Sequence, residues 1–252
     1  TSIEEFIDDF NNSKPHNILE IDFIKQQTRL VFSRIGLDDP LDLNQYCNSG
    51  GYKGLEKSFE IGQQKTIDEI KKSGLNGRGG AAFPTAIKMQ TVLDQESKTK
   101  YVACNADEGD GGTFSDRLIM ECDPYSLIEG MTIAAYSVGA NHGYIYLRSE
   151  YPLAKYFLTE AIKILKSHNL LGKNILGKNF TFDIELRIGA GSYVCGEETA
   201  MMESIEGRRG LVRSKPPLPA IKGLFHQPTL INNVITLASM SAILLHGNEI
   251  FS

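Results

Sequence analysis

The chain has 252 residues, of which 41% are apolar, so it can bury the core of one large domain or two small ones. Its formal net charge of −5 argues against non-specific nucleic-acid binding, which needs a basic surface. No apolar run approaches the roughly 20 residues of a membrane-spanning helix, and the acidic, polar N-terminus is unlike a secretory signal.

The first 50 residues are predicted to form a helical lead-in, and residues 51–252 are predicted to form an α/β domain. The polar, glycine-bearing stretch 48–51 marks the boundary between them. One helix of the lead-in is predicted near residues 20–34, where apolar side chains recur at roughly helical spacing: Phe23, Ile24, Leu30 and Val31.

Two short helices are predicted within residues 52–73, with a break near Gly62. Thr66 and Glu69 have the spacing of a capping box, which would start the second of these helices. Gly74 suits the left-handed position that ends a helix. A glycine loop is expected after this helix, and Pro84 can open a new helix at its first turn.

The rest of the chain alternates between strand and helix patterns. A short apolar strand is predicted at residues 101–104, and a period of two over residues 180–188 marks a half-buried strand. This alternation predicts an α/β fold, with helices packed against a sheet. The other predicted elements are helices at about 123–138 and 152–167, a β-rich segment at 144–147, and helices from Glu197 and from near Asn233.

Four short segments combine glycines, carboxylates and amides in a way that core packing does not require. A bound ligand with phosphates, hydroxyls and a flat ring does require such groups. We therefore treat these segments as the candidate functional regions: residues 77–88, 105–110, 189–198 and 232–233.

The first segment begins with a glycine loop that matches G-x-G-x-x-A over residues 77–82. A Rossmann fingerprint needs a strand before it and an acid about 20 residues later, whereas this loop follows a helix. The loop is either a flexible turn or a ligand-binding loop. The charges of Arg78 and Lys88 and the ring of Phe83 favour a ligand, because glycine N–H groups hold anions and admit flat rings.

The second glycine loop, residues 189–196, has a strand before it and a helix after it. Helix N-termini attract anions, but Glu197 and Glu198 open this helix and would repel a phosphate. These acids either complement the helix dipole alone or also accept hydrogen bonds from ligand hydroxyls and amides. We expect them to bind such ligand groups.

The two remaining segments are short and polar. Residues 105–110 directly follow a predicted strand, at the edge where such sheets bind ligands. The alternatives are an acidic surface turn or a divalent-metal loop, which would need more oxygen ligands at regular spacing. Asn232 and Asn233 are either ligand-binding amides or a helix cap.

The cysteines give no metal-binding pattern. No two of them have C-x-x-C spacing, so the chain encodes neither a zinc knuckle nor an iron–sulfur motif, and no metal site is predicted. Free, scattered cysteines suit a reducing cytoplasm, which is the predicted location. The four are Cys47, Cys104, Cys122 and Cys195.

The ordered series of segments resembles the NADH-oxidising, FMN-carrying subunits of respiratory complex I, NAD-reducing hydrogenases and soluble NAD-dependent formate dehydrogenases. The resemblance runs from about residue 45 to about residue 245, in the family's order. It is carried by residues 74–85, 105–108, 189–200, 206–210, 215–217 and 228–234. The formate dehydrogenase flavin (beta) subunits are the most similar in detail, over residues 110–113, 148–152 and Leu218.

The resemblance implies a Rossmann-like FMN-binding α/β domain with an FMN cradle built from all four segments. Glu108 and Glu198 are implied as the catalytic residues, Glu198 by orienting the cofactors and tuning their potential rather than as a base. The implied FMN-binding residues are Gly77, Arg78, Gly79, Lys88, Asn105, Asp107, Glu108, Tyr193, Gly196, Glu197, Glu198, Asn232 and Asn233.

The resemblance also implies a site for NAD(H). An acid near the adenosine ribose would disfavour a 2′-phosphate, so NAD is predicted over NADP. Ala82 replaces a glycine of many relatives, which would narrow the cavity by a methyl group. Thr91 and Leu218 replace phenylalanines that could stack on adenine, so NADH is expected to bind more weakly by about 1 kcal/mol. The implied NAD-binding residues are Gly80, Ala81, Phe83, Lys88, Asp110, Glu198 and Lys215.

The resemblance finally implies an FMN-containing NAD(H) oxidoreductase, or diaphorase, that passes single electrons to iron–sulfur partner subunits. A formate dehydrogenase flavin subunit is favoured; a complex I or hydrogenase subunit and a non-catalytic docking module are the alternatives. Full-length members carry a ubiquitin-like segment and a cysteine-bearing helical domain after about residue 245. Because both are missing here, an iron–sulfur cluster is expected only in such a domain or in a partner, and the chain is either a fragment or a naturally short relative.

Overall fold

The computed structural model describes residues 22–36 and 39–251, so the predictions made for residues 1–21 lie outside the described part. The described residues form one sheet of four parallel strands, in the spatial order β3-β2-β1-β4. The strands are β1 (Tyr101–Ala106), β2 (His142–Leu147), β3 (Asp183–Ile188) and β4 (Thr229–Asn233).

Helices surround this sheet and also precede it. Short 3₁₀ turns cover Ile175–Gly177, Tyr193–Gly196 and Leu224–His226. The α-helices of the described residues are α1 (Asp22–Lys25), α2 (Leu43–Asn48), α3 (Lys53–Ile61), α4 (Gln63–Lys72), α5 (Thr85–Leu93), α6 (Ser115–Cys122), α7 (Pro124–Val138), α8 (Pro152–Ser167), α9 (Glu198–Ile205), α10 (Pro219–Lys222) and α11 (Val234–His246).

The order of the strands reverses beside β1. From β1 the chain adds β2 and then β3 on one side, and it returns to place β4 on the other side of β1. Asn105 of β1 is therefore aligned with both Tyr146 of β2 and Asn233 of β4. Open α/β sheets bind ligands beyond the carboxyl ends of their strands at such a switch point. The region between the ends of β1 and β4 is therefore where a ligand crevice is expected, and it is called the crevice below.

Both faces of the sheet are covered, because successive side chains of a strand point to opposite faces. Val102, Cys104 and Ile145 belong to the larger core, which α3, α7, α8 and α11 complete. Ala103 and Tyr146 lie on the other face, in a smaller cluster closed mainly by the apolar side of α9. The sheet is therefore the middle layer of the described structure.

The two most buried helices, α7 and α11, cross at a glycine. A Cβ atom added to Gly130 of α7 would stand 1.9 Å from the carbonyl oxygen of Leu237 in α11. This close approach lets the two helices pack face to face against β1. Since α11 begins directly at the end of β4, the crossing fixes the direction in which the crevice residues of β4 point.

Most of the predicted elements are confirmed. The α/β fold is present, and the helix pair within residues 52–73 is interrupted at Gly62, which adopts a φ of 85°. Gly74 ends α4 and Gly139 ends α7 in left-handed conformations, with φ of 66° and 75°. These positions are determined by local turn chemistry, which explains why the sequence alone reveals them.

Three predictions for local structure were wrong. The helix near residues 20–34 stops at Lys25, because residues after it form turns through which Val31 packs on the core. Thr66 is not a helix cap: it lies inside α4, and its hydroxyl donates to the Gly62 carbonyl at 2.9 Å. The strand predicted from residue 180 begins only at Asp183.

The lead-in is attached to the core through a buried carboxylate, Glu129 of α7. The Tyr46 hydroxyl donates to Glu129, and the backbone N–H groups of Tyr52 and Leu55 donate to it at 2.8 and 3.0 Å. Burial raises the pKa of Glu129 above its ordinary value, although these three donors oppose the shift. The predicted domain boundary at residue 50 stays a prediction, and the bond from Tyr46 to Glu129 crosses it.

Candidate functional site

The end of β1 is joined to the second glycine loop. The Asn105 amide donates to the Gly196 carbonyl at 2.8 Å, and its oxygen accepts from the Asp107 N–H at 3.2 Å. A Cβ atom on Gly196 would lie 3.5 Å from the Asp107 carbonyl oxygen. Segments 105–110 and 189–198 therefore meet at the carboxyl edge of the sheet.

The end of β4 supplies two asparagines with different partners. The Asn233 oxygen accepts from the N–H groups of Ile235 and Thr236 at 2.9 and 3.4 Å, so Asn233 is the cap of α11. Asn232 is 96% buried, and its amide nitrogen has no hydrogen-bond partner among the described residues. Buried polar groups are normally paired, so Asn232 offers a donor suited to a ligand.

The first glycine loop lies against the start of α11. The Arg78 N–H donates to the Thr236 hydroxyl at 2.9 Å, and a Cβ atom on Gly79 would lie 3.4 Å from the Asn233 Cβ. The backbone from Arg78 to Phe83 is exposed, and the Phe83 ring is among the exposed large apolar side chains. This arrangement leaves side-chain-free backbone and one aromatic ring beside the crevice.

Two lysines and two glutamates form a charge cluster at the same edge. The Lys215 Nζ lies 2.6 Å from a Glu198 oxygen and 3.1 Å from a Glu197 oxygen. The Lys88 Nζ donates to the Ile231 carbonyl at 3.0 Å and lies 4.0 Å from Glu198. Burial lowers the pKa of Lys88, and the Glu198 carboxylate partly offsets that shift. An anionic ligand group next to Lys88 would stabilise its charged form.

Glu197 and Glu198 have different roles in the fold. One Glu197 oxygen accepts from the N–H groups of Thr199 and Ala200 at 2.8 and 2.9 Å, so Glu197 is the cap of α9. Burial alone would raise the pKa of Glu197, but these hydrogen bonds and Lys215 hold it below its ordinary value. Within the described part of the chain, the Glu198 carboxylate is paired with lysines alone, so it is the freer of the two acids for a ligand.

Glu108 holds the first turn of α6. Its oxygens accept from the backbone N–H groups of Asp116 and Arg117 at 3.0 and 3.2 Å and from the Tyr151 hydroxyl at 3.0 Å. The side chain is buried. Arg148 donates to the Glu108 carbonyl and stacks over the Tyr151 ring, 5.0 Å from its centroid. Sequence reasoning assigned Glu108 to ligand chemistry, and the structure shows in addition how it supports the crevice wall.

The remaining acids of segment 105–110 lie at the rim. The Tyr193 hydroxyl donates to Asp110 at 2.7 Å, and a Cβ atom on Gly109 would stand 2.9 Å from the Tyr193 ring. Burial raises the pKa of Asp107, and the Arg148 charge partly offsets it. This hydrogen bond joins Asp110, a predicted NAD-binding residue, to Tyr193, a predicted FMN-binding residue.

Sequence reasoning missed Asp116, which lies in the crevice wall. Its carboxylate accepts from the Asn233 amide at 2.6 Å. Burial, together with the Glu108 charge, raises the pKa of Asp116 to about 7. No helix was predicted over residues 115–122, so nothing in the sequence indicated that this acid faces β4.

The residues present fit a ligand that carries a planar ring and a phosphate. Gly79 leaves room beside Asn233, Asn232 offers an unpaired buried donor, and Lys88 supplies a half-buried charge. Among the described residues no group of three or more histidine, cysteine, aspartate or glutamate side chains is placed to bind a metal ion. In the same part of the chain, no helix combines the length and apolarity that crossing a bilayer requires.

The structure brings the predicted FMN-binding residues of all four segments to one edge of the sheet, and their individual roles stay predictions. Of the positions noted as departures from the family, Leu218 is an exposed residue before α10. The Thr91 hydroxyl donates to the Ile87 carbonyl at 2.8 Å, within α5. Ala82 has a left-handed φ of 50°, the conformation that glycine adopts without strain.

A parallel sheet with glycine loops beside its switch point is typical of α/β proteins that bind a ligand at the carboxyl edge of the strands. The model of the Nuo51 FMN-binding domain family matches residues 70–242, and the chain belongs to this family. The resemblance noted in the sequence, including the flavin that it implied, is thereby confirmed.

Known proteins similar to this chain include two longer bacterial subunits. It is 46% identical to an NADP-reducing hydrogenase subunit, HndC, of Solidesulfovibrio fructosivorans, over 90% of this chain and 46% of the relative. It is 49% identical to an NADH-quinone oxidoreductase subunit of Aquifex aeolicus, over 82% of this chain and 48% of the relative. The chain spans about half the length of these curated relatives.

A solved structure also has this fold. The crystal structure of an NAD+-reducing NiFe hydrogenase in the air-oxidized state matches with a TM-score of 0.71 and 34% identity. The match covers 84% of this chain and 35% of the hydrogenase chain. Similarity to a formate dehydrogenase subunit in particular stays a prediction.

Proposed function

We propose that this chain is the FMN- and NAD(H)-binding module of an oxidoreductase, in which a hydride passes between NADH and FMN. The observation that carries the proposal is the buried amide nitrogen of Asn232, which lies at the switch point and has no partner among the described residues. When bound, FMN supplies the ring that exchanges a hydride and then gives up electrons singly. The residues of the chain supply binding, orientation and electrostatics.

The proposed FMN cradle is made of groups that lie close together at the carboxyl edge. Gly79 lies next to Asn233, Lys88 bonds to the strand that ends in Asn232 and Asn233, and Asn105 bonds to Gly196. The remaining members of the proposed set are Gly77, Arg78, Asp107, Glu108, Tyr193, Glu197 and Glu198.

The proposed nucleotide site lies along the exposed side of the glycine loop. Glu198 is proposed to orient both ligands, because its carboxylate lies between the two lysines and holds their charge near the crevice. No residue is required to move a proton in the hydride step. The other members of the proposed set are Gly80, Ala81, Phe83, Lys88, Asp110 and Lys215.

The function is tested by adding FMN to the purified protein and then adding NADH without oxygen. We expect the protein to bind FMN and become yellow, with a flavin absorbance band at about 450 nm. NADH is expected to bleach this band by reducing the bound flavin. A protein that stays colourless after FMN is added would overturn the proposal. Flavin that binds but does not respond to NADH would instead support a non-catalytic docking module.

Gly79 provides a sharper test. Gly79→Val places two methyl groups on a Cβ that would already stand 3.4 Å from the Asn233 Cβ, at the mouth of the crevice. We expect FMN binding to fall by at least tenfold while the circular dichroism spectrum is unchanged, and Gly79→Ala to have a smaller effect. A loss of the folded spectrum in both variants would indicate a structural glycine.

Discrimination between NAD and NADP is part of the proposal. Asp110 and Glu198 carry negative charge at the rim, and a 2′-phosphate near either acid would be repelled. One relative is named an NADP-reducing hydrogenase subunit, so the choice needs a measurement. We expect anaerobic bleaching by NADH at concentrations at least tenfold below those needed with NADPH, and equal concentrations would contradict this preference.

For the larger assembly, we propose a cytoplasmic NAD-dependent formate dehydrogenase in which iron–sulfur subunits take electrons from this module. The support is the detailed similarity over residues 110–113 and 148–152. A complex I or hydrogenase assembly is the alternative, and both kinds of relative are found among the similar proteins. The neighbouring coding sequences, followed by purification of the complex and assays with formate, hydrogen and quinone, distinguish these cases.

A further inference from the structure

Asp116 is a buried acid that the proposed binding set does not include. It is 95% buried, as the second residue of α6, and its carboxylate accepts a 2.6 Å hydrogen bond from the Asn233 amide. Burying a carboxylate is costly unless other groups compensate it. A buried carboxylate at the wall of the crevice therefore needs a physical explanation.

The contact with Asp116 fixes the Asn233 amide from its nitrogen side. The oxygen of the same amide already accepts from the backbone at the start of α11, from Ile235 and Thr236. With the oxygen and one amide hydrogen engaged, the side chain cannot flip, and one amide hydrogen is left. Asn233 lies beside Gly79, where a flavin is proposed to bind.

Asp116 is itself fixed from the loop that follows β1. Glu108 accepts from the Asp116 N–H at 3.0 Å and from the Arg117 N–H at 3.2 Å, which anchors the first turn of α6. A chain of contacts therefore runs from the end of β1, through α6, to the end of β4. It spans both strands that border the crevice.

We propose that Asp116 is a positioning residue for flavin binding, which holds the Asn233 amide in the orientation that the flavin site requires. The proposal rests on the proposed function, since it takes Asn233 as part of the flavin site. Asp116 itself does not contact the flavin in this role. A purely structural Asp116 would support the fold without regard to Asn233, and this difference can be measured.

A double-mutant cycle measures the coupling between the two residues. The first variant is Asp116→Ala, and the second is Asn233→Ser, which keeps an oxygen to cap α11 but lacks the amide nitrogen. The Kd of FMN is measured by the quenching of flavin fluorescence for the wild type, both variants and the double variant. Asp116→Asn is the matched control, because its amide oxygen can still accept from Asn233.

We expect Asp116→Ala to raise the Kd of FMN about tenfold in the wild-type background and less than about twofold in the Asn233→Ser background. Asp116→Asn is expected to stay within about threefold of the wild type. An equal effect of Asp116→Ala in both backgrounds, or no effect in the wild type, would overturn the proposal. A wild-type protein that binds no FMN would instead overturn the proposed function, and this inference with it.

A second measurement decides the question if Asp116→Ala does not fold. The side-chain NH₂ signals of Asn233 are assigned in the NMR spectrum of the flavin-free protein by their loss in Asn233→Ser. At about pH 8, above the Asp116 pKa of about 7, Asp116→Asn replaces a charged acceptor by a neutral one, so these signals are expected to shift by more than any other side-chain amide. Unchanged Asn233 signals would overturn the proposal.

Discussion

Two acids that the sequence marks as ligand groups hold the first turn of a helix. Glu197 caps α9 and Glu108 accepts two backbone N–H groups of α6. The acid next to each of them in the sequence lies at the crevice: Glu198 follows Glu197 and lies between two lysines, and Asp107 precedes Glu108 and is half-buried. At the scale of single residues, one acid of each adjacent pair supports the backbone, and the other is left for the proposed binding of a ligand.

Ala82 gives a prediction at this scale. Its φ of 50° costs an L-residue about 1 kcal/mol, a strain that glycine does not have. Ala82→Gly is expected to raise the free energy of unfolding by about 0.5 kcal/mol after the greater chain entropy of glycine is subtracted. Ala81→Gly, the control at an exposed neighbour without a left-handed φ, is expected to lower it by about 0.5 kcal/mol. Urea unfolding measures both, and equal losses would contradict the strain argument.

Asp116 gives a prediction for pH. Its pKa is raised to about 7 by burial and by Glu108, against about 3.9 in an unfolded chain. Between these values the folded state binds more protons than the unfolded state, so the stability that this group contributes is lost as the pH rises through about 7. Besides Glu108, the groups near this carboxyl are the Asn233 amide and the Ile235 N–H, which lower its pKa, and the buried Cys104 thiol.

Asp116→Asn removes this titration. We expect the free energy of unfolding of the variant, relative to that of the wild type, to be higher at pH 8 than at pH 5 by on the order of 2 kcal/mol. Urea unfolding at both pH values measures the difference, which also cancels the effect of other buried acids such as Asp123. A difference that is the same at pH 5 and pH 8 would mean that Asp116 does not titrate in this range.

At the scale of elements, the crossing of α7 and α11 determines how β4 and its asparagines are presented. Both helices are rich in buried apolar residues, and the crossing is closest at Gly130. The sequence predicted a helix at about 123–138, ended by Gly139, and another that begins near Asn233. It did not predict their contact, which joins residues that are about a hundred positions apart.

Gly130→Ala tests this crossing. The added methyl group would stand 1.9 Å from the Leu237 carbonyl oxygen, so one helix must move. We expect the free energy of unfolding to fall by about 3 kcal/mol or more, because the overlap involves backbone that cannot rotate away. Gly111→Ala is the control, since a Cβ atom there meets nothing within 4 Å. A similar small change in both variants, measured by thermal unfolding, would contradict the close crossing.

At the scale of the whole molecule, the lead-in and the α/β domain share buried contacts. Tyr46 of α2 is buried against Tyr52 and Tyr125, and its hydroxyl donates to Glu129. Arg34 lies over the Tyr46 ring and forms an ion pair with Asp123 at 3.3 Å. These contacts are expected to make the two parts unfold together.

Tyr46→Phe tests that coupling. Loss of the hydroxyl removes a hydrogen bond to a buried carboxylate, so we expect a fall of about 2 kcal/mol in the free energy of unfolding, within a single cooperative transition. Tyr156→Phe, at an exposed ring of α8, is expected to change it by less than about 0.5 kcal/mol. Two separate transitions, or no effect of Tyr46→Phe, would mean that the lead-in is independent of the core.

The amino-acid sequence by itself determined the α/β class, the glycine breaks at Gly62, Gly74 and Gly139, and the segments that carry the family motifs. These features depend on periodicity and turn chemistry within a few residues, which a single chain displays directly. Tertiary structure alone decided the strand order, the position of the switch point and the different hydrogen-bond partners of Glu197 and Glu198. It also decided the bond between Asp116 and Asn233, which lie 117 positions apart, because only the packing of α6 against the end of β4 brings such distant residues together.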